Sequence, residues 1–85
     1  MSTDRIREII SEHGRLSTDV SSLAVGDDLY AAGLTSHASV SLMLAIEDAF
    51  DIEFPEELLK RSTFASIAAI EEAVNDLAAS SASAG

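Results

Sequence analysis

Three stretches of this chain place apolar side chains at helical spacing, and no other feature constrains the fold as strongly. The apolar positions are Ile6, Ile9 and Ile10 in the first stretch, Leu42, Met43, Ile46 and Phe50 in the second, and Phe64, Ile67, Ile70, Val74 and Leu77 in the third. Side chains three or four residues apart share one face of an α-helix. The sequence therefore predicts amphipathic helices packed around one apolar core.

Capping residues mark the expected ends of these helices. The first is predicted over residues 4–13, between a cap at Ser2 or Thr3 and a stop at Gly14. The second is predicted over residues 36–50. A short third helix is predicted over residues 55–61, because proline fits a first helical turn and the acids and bases that follow suit the helix dipole. The fourth is predicted to begin after a cap at Ser62 or Thr63 and to end near Leu77.

Residues 15–34 have no regular period but contain several apolar side chains, namely Val20, Leu23, Val25, Leu29, Tyr30 and Leu34. A loop of this length in a small domain is expected to pack or to serve function. We predict that it wraps the helices and leads Gly33 to the second helix, with Asp27 and Asp28 capping a short turn. The predicted fold is all-α: a small four-helix bundle over residues 1–77, with three longer helices, one short third helix and a long structured loop. An Ala/Ser-rich tail over residues 78–85 is predicted to be flexible.

Charge and composition limit the partners and the location that we expect for this chain. The chain has 85 residues, no cysteine and a formal net charge of −10, and it has no Lys or Arg between Arg15 and Lys60. Such a surface repels nucleic acid and anionic lipid, so neither is an expected partner. It suits a partner with a basic patch, or it serves solubility alone. With no long apolar run and no signal peptide, the expected location is the cytoplasm.

The acids around residues 51–57 do not predict a metal site. An EF-hand loop needs a glycine at position 6 and a glutamate at position 12. Counted from Asp51, those positions hold Glu56 and Ser62. No metal site is therefore expected.

The start of the second helix carries two hydroxyl side chains, Thr35 and Ser36. Both are good N-cap residues, and a helix start favours a phosphate through free N–H groups and a partial positive charge. A phosphate on Ser36 would therefore be favoured, and the alternative is that Ser36 only caps the helix. Catalysis by Ser36 is not expected, because His37 is its neighbour along the helix and does not face it.

One side of the second helix forms a candidate contact surface. Val40, Leu44 and Glu47 lie near the helical phase of Ser36, and Asp48 lies further round. A partner could bind such an apolar strip framed by charge. For Val40 and Leu44 the alternative is a broad core face, and the sequence leaves both open.

The segment Gly33-Leu34-Thr35-Ser36, the amphipathic helix after it and Phe50-Asp51-Ile52-Glu53-Phe54-Pro55 together resemble the acyl and peptidyl carrier protein family. The resemblance covers residues 4–77. In that family the serine of a Gly-x-Asp-Ser-Leu-type motif carries 4′-phosphopantetheine. The resemblance implies that Ser36 carries this arm, that a phosphopantetheinyl transferase attaches it, and that the chain holds a thioester cargo without being an enzyme. Thr35 and His37 depart from the motif and are further candidates for partner recognition.

The segment 29–36, with Ala38-Ser39-Val40, looks closest to the stand-alone aminoacyl carrier proteins of bacteria. These are loaded by truncated homologues of seryl-tRNA synthetase that charge small amino acids such as glycine or alanine. The resemblance implies a ligase of this amino acid:carrier protein type as partner, and we expect a monomer. Two alternatives stay open here: a fatty-acyl or polyketide-type carrier, and a cofactor-free acidic helical interaction module.

Overall fold

The computed structural model describes the backbone of residues 2–84 and the side chains of residues 3–78. Its α-helices are α1 (Ser2–His13), α2 (Ser36–Phe50) and α3 (Ile67–Ala84). Short 3₁₀ turns lie at Val20–Ser22, Glu56–Leu58 and Arg61–Phe64. All regular secondary structure in the described backbone is helical, which confirms the predicted all-α class.

The apolar stripes of the three α-helices meet in one core. Its fully buried side chains are Ile6 and Ile10 of α1, Leu42 and Ile46 of α2, Ile67, Ile70 and Val74 of α3, and Leu29 of the first loop. Met43, Phe50 and Leu77 pack against it at half-buried positions. Burying one aliphatic side chain contributes about 1.5–3 kcal/mol, so this cluster supplies most of the driving force for folding. The core predicted from helical spacing is confirmed.

The first loop wraps the helices as predicted. Its buried residues include Val20, Leu29 and Leu34. Leu29 N–H donates to Ala65 O at 2.7 Å, a backbone bond that fastens the loop close to the start of α3. The Arg7 guanidinium donates to the carbonyl oxygens of Val20 and of a second loop residue at 2.9 and 2.8 Å.

Two details of this loop concern the predicted packing and capping. Val25 was expected to pack, but its side chain is 43% exposed. Val25 instead connects the loop to α3 through its backbone, because its carbonyl oxygen accepts from Ala68 N–H at 2.9 Å. The carboxylate of Asp27 accepts from Ala24 N–H and that of Asp28 from Tyr30 N–H, so both acids cap turns as predicted.

The predicted short third helix over residues 55–61 is not an α-helix. In its place are the 3₁₀ turns Glu56–Leu58 and Arg61–Phe64, and Pro55 is extended before the first of them. The physical reason lies at the two ends of the segment. Phe54 and Phe64 are both buried, and their ring centroids lie 5.4 Å apart. This contact restricts the path of the short segment between them, and about two helical turns have too few hydrogen bonds to offset the cost of helix nucleation.

The last helix begins later than predicted. Ser66 Oγ accepts from Ala69 N–H at 3.1 Å, so this hydroxyl caps α3 in place of Ser62 or Thr63. Thr63 is instead buried in the preceding 3₁₀ turn. The helix then continues past the predicted end at Leu77 to Ala84. The expected tail over residues 78–85 overlaps this helix, and Gly85 lies outside the described residues, so the flexibility of the tail stays a prediction.

No helix within residues 2–84 combines the length and the apolar character needed to cross a bilayer.

Candidate functional site

Ser36 is the first residue of α2, and its side chain is exposed. The residue before it, Thr35, has extended backbone angles, and its Oγ1 accepts from Ala38 N–H at 3.0 Å. Thr35 is therefore the N-cap, which leaves the Ser36 hydroxyl without a capping role. The interpretation of Ser36 as only a helix cap is wrong.

The surroundings of Ser36 do not form a catalytic site. Ser39 Oγ donates to the Ser36 carbonyl oxygen at 2.7 Å and not to its hydroxyl. Among the described side chains, none forms a hydrogen bond with Ser36 Oγ, so no base there is placed to activate it. The arrangement presents an exposed hydroxyl at the start of α2.

Gly33 shapes the turn that leads into α2. Its φ is +117°, a region that favours glycine, and a Cβ added there would lie 2.8 Å from Ser17 N. Ser17 holds this part of the loop in place, because its N–H and its Oγ both donate to Ala32 O, at 3.0 and 2.9 Å. The glycine thus allows the loop to run close against its own beginning and to deliver Thr35 and Ser36 to the helix start.

A surface groove of about 310 Å³ opens beside Ser36. We call it the serine groove, and its lining residues are Tyr30, Ser36, Ser39, Val40, Met43, Leu59, Lys60, Arg61 and Phe64. It lies between the first half of α2 and the 3₁₀ segment that replaced the predicted third helix. The sequence had assigned Lys60 and Arg61 only to the end of that helix. They are the first basic residues after Arg15, but nothing in the sequence indicated that they lie beside Ser36.

The candidate recognition residues of α2 differ in their surroundings. Val40 is 53% exposed and Leu44 is 56% exposed, so the alternative that they belong to the core is wrong. His37 and Asp48 are exposed as well. Glu47 is half-buried, and its carboxylate accepts from the backbone N–H of Phe54 at 2.8 Å. Its carboxylate therefore has a structural partner, which the helical phase did not reveal.

Acidic residues do not gather into a metal site in the described part of the chain. No group of three or more His, Asp or Glu side chains there is placed to hold a metal ion.

A scan against protein families matches residues 4–74 to a model described as a phosphopantetheine attachment site. The match covers most of the chain. It confirms the predicted prosthetic group and overturns the alternative of a cofactor-free interaction module.

A curated relative points to one branch of this family. The chain is 62% identical over 69 residues to an aminoacyl carrier protein of Agrobacterium fabrum (strain C58), an alignment that covers 81% of this chain and 83% of the relative. This relative favours an aminoacyl carrier over the fatty-acyl or polyketide alternative.

Solved structures of similar chains have the same fold. The fold matches a chain in the crystal structure of an engineered Bradyrhizobium japonicum glycine:[carrier protein] ligase complexed with carrier protein from Agrobacterium tumefaciens and ATP, with a TM-score of 0.86, 57% identity and coverage of 88% of this chain and 97% of that one. It also matches a solution structure from Agrobacterium tumefaciens with a TM-score of 0.75, 53% identity and coverage of 95% and 98%. The chain thus belongs to the phosphopantetheine-attachment family, among the stand-alone bacterial aminoacyl carrier proteins, which are carriers and not enzymes.

Proposed function

We propose that Ser36 is the residue that carries 4′-phosphopantetheine and that the loaded arm holds a small amino acid, glycine or alanine, as a thioester. The observation that carries this proposal is the exposed hydroxyl at the first residue of α2, released from capping by Thr35. A transferase can approach such a hydroxyl directly. A buried or capping serine would have to leave its hydrogen bonds first.

The local chemistry fits the phosphate of this group. The first backbone N–H groups of α2 have no partner within the helix and give its start a partial positive charge, which stabilises an anion nearby. Lys60 and Arg61 line the serine groove together with Ser36 and add two cations. The chain has no cysteine, so the bound arm supplies the thiol that holds the cargo.

We further propose that partners bind a recognition rim on the outer side of α2, made of Thr35, His37, Val40, Leu44, Glu47 and Asp48. Val40 and Leu44 offer exposed apolar contacts one helical turn apart. Asp48 adds an exposed charge that suits a basic patch. Glu47 belongs to the rim through its position, since its carboxylate already accepts from Phe54 N–H. We propose that its contribution is structural, because this hydrogen bond holds the C-terminal end of the rim in place.

The proposed loading partner is a ligase of the amino acid:carrier protein type. The carrier protein of Agrobacterium tumefaciens, in a complex that contains a chain 59% identical to this one, is bound to a glycine:[carrier protein] ligase. Similarity over 86% of this chain supports the same kind of partner here. A phosphopantetheinyl transferase would attach the arm before this loading step. We further propose that the chain acts in the cytoplasm as a monomer.

The test is a competition for loading. The phosphopantetheine form is incubated with a glycine:[carrier protein] ligase, ATP and a mixture of amino acids, and the intact mass is measured. We expect the mass of glycine or alanine to be added to the wild-type protein and to Ser41→Ala, which removes another exposed hydroxyl of α2. We expect no addition to Ser36→Ala. A parallel incubation offers long-chain fatty acids with a fatty-acyl:carrier protein ligase, and stable loading there, with none by glycine or alanine, would show a fatty-acyl carrier instead.

A further inference from the structure

The serine groove differs in charge from the rest of this acidic protein. The chain carries a net charge of −10, yet none of the residues that line the groove is acidic and two of them, Lys60 and Arg61, are basic. Both charged side chains that line the groove are therefore positive, and charge–charge interactions are strongest at short distance.

Contacts with Tyr30 hold Arg61 in this position. The Arg61 guanidinium lies 3.9 Å from the centre of the Tyr30 ring, a cation–π contact. The Tyr30 hydroxyl donates to the Arg61 carbonyl oxygen at 3.2 Å, so side chain and backbone are both tied to the same residue. The cation–π contact favours a position of the Arg61 guanidinium against the Tyr30 ring, which also lines the groove.

Most of the remaining lining of the groove is apolar. Val40 and Met43 of α2 line it together with Leu59 and Phe64. A neutral group that enters would exchange water for apolar contact, which is favourable. A cationic group would lose hydration and also meet two like charges, so both effects oppose its entry.

The cargo proposed above is cationic. An α-amino group has a pKa of about 7.7–8.0, so an aminoacyl thioester carries an ammonium for most of the time at neutral pH. The phosphodiester at the other end of the arm is anionic. The two ends of a loaded arm therefore have opposite preferences for the same groove.

We propose that the serine groove selects by charge. Lys60 and Arg61 attract the phosphodiester attached to Ser36, and the same two cations exclude the ammonium of an aminoacyl cargo. The amino acid therefore stays in solvent, while an uncharged cargo of equal size enters the groove. This inference rests on the proposed attachment of the arm to Ser36.

The test compares three cargoes of matched size on the same arm: glycyl, propionyl and glycolyl, each attached as a hydrolysis-resistant amide. Propionyl replaces the ammonium by a methyl group, and glycolyl replaces it by a neutral hydroxyl, so glycolyl separates charge from polarity. The readout is the methyl NMR shift of Met43 and Val40 relative to the protein with an unloaded arm. We expect shifts with propionyl and glycolyl and none with glycyl. If glycolyl behaves like glycyl, or if all three behave alike, the inference is overturned.

Variants then test the two cations. In the double variant Lys60→Gln/Arg61→Gln, the glycyl cargo is expected to shift Met43 and Val40 as glycolyl does. The control Arg5→Gln removes an exposed cation of α1 and is expected to leave glycyl excluded. In the wild type, the Arg61 Nε–H resonance is expected to shift when the arm is added to Ser36. The absence of that shift, or continued exclusion of glycyl by the double variant, would contradict the role of the cations.

Two measurements distinguish a failure of this inference from misfolding of a variant and from a failure of the proposed function. Circular dichroism of each variant establishes that it is folded, and a single replacement, Arg61→Gln, gives a second result if the double variant does not fold. Fragment mass spectrometry is done first and locates the arm. An arm found elsewhere than on Ser36 overturns the proposed function together with this inference, whereas an arm on Ser36 without the expected shifts overturns only the inference.

Discussion

Replacing Gly33 by alanine perturbs the turn that delivers Ser36 to the helix start. The φ of Gly33 is +117°, which an alanine rarely adopts, and the new Cβ would lie 2.8 Å from Ser17 N and 2.9 Å from Ser17 Oγ. Neither atom is free to move, because both donate to Ala32 O. The loop must therefore shift or lose these hydrogen bonds.

The cost can be worked from these contacts. A residue held in a sparsely populated backbone region costs about 1–3 kcal/mol, and a steric overlap in a packed position costs about 1–3 kcal/mol. Removing a glycine from the unfolded chain returns about 0.4–1 kcal/mol. We expect Gly33→Ala to lower the free energy of unfolding by about 2–5 kcal/mol. Small domains have about 5–15 kcal/mol in total, so this is a large fraction.

The assay is urea unfolding followed by circular dichroism at 222 nm, a wavelength that reports helix content. Gly26→Ala is the matched control, because a Cβ at Gly26 meets nothing within 4 Å. We expect the control to be neutral or slightly stabilised by the loss of unfolded-state entropy. If Gly33→Ala were as stable as Gly26→Ala, the assignment of this glycine as the fixed turn before α2 would be refuted.

Three further predictions concern the cap, the rim and the first loop. Thr35→Ala is expected to lower the free energy of unfolding by about 0.5–2 kcal/mol, with most of it restored in Thr35→Ser, because Oγ1 caps Ala38 N–H. Leu42→Ala, at 0% exposure, is expected to lower the free energy of unfolding by about 2–5 kcal/mol. Leu44→Ala is expected to stay within about 0.5 kcal/mol of wild type in urea unfolding and to slow loading by the ligase. A large stability loss, or unchanged loading, for Leu44→Ala would contradict its role as an exposed contact residue. The N–H of Ser21 donates to the Asp19 carboxylate and lowers its pKa below the usual 3.8. Because the pKa of Asp19 is lower in the folded state, this group stabilises the fold above pH 3.8, and the stabilisation is lost as the pH falls through the lowered pKa. An NMR titration of Asp19 checks this. An unshifted titration midpoint would contradict the hydrogen bond from Ser21 N–H to the Asp19 carboxylate.

Much of the core could be predicted because helical periodicity reports burial directly. The spacing of Ile6 and Ile10, of Leu42 and Ile46, and of the α3 residues identified the buried faces. The local signal was also sufficient at the start of α2. A Gly before two hydroxyl residues and an amphipathic run predicted that Ser36 lies there, although the assignment of the cap to Thr35 needed the structure.

The segment between α2 and α3 could not be predicted, because long-range packing decides it. Proline, acids and bases in helical order suggested an α-helix, but the contact between Phe54 and Phe64 sets the path instead. For the same reason the sequence did not place Lys60 and Arg61 beside Ser36. The bond from Phe54 N–H to the Glu47 carboxylate likewise joins residues from two elements, and no helical phase contains that information.

The central claim is that Ser36 alone receives the arm, and mass spectrometry tests it most directly. The wild-type chain is incubated with coenzyme A and a phosphopantetheinyl transferase, digested, and the modified residue is located by fragmentation, with Ser36→Ala treated in parallel. We predict one phosphopantetheine per chain, on Ser36, and an unchanged mass for Ser36→Ala. An arm on another serine, or a modified Ser36→Ala protein, would contradict the account.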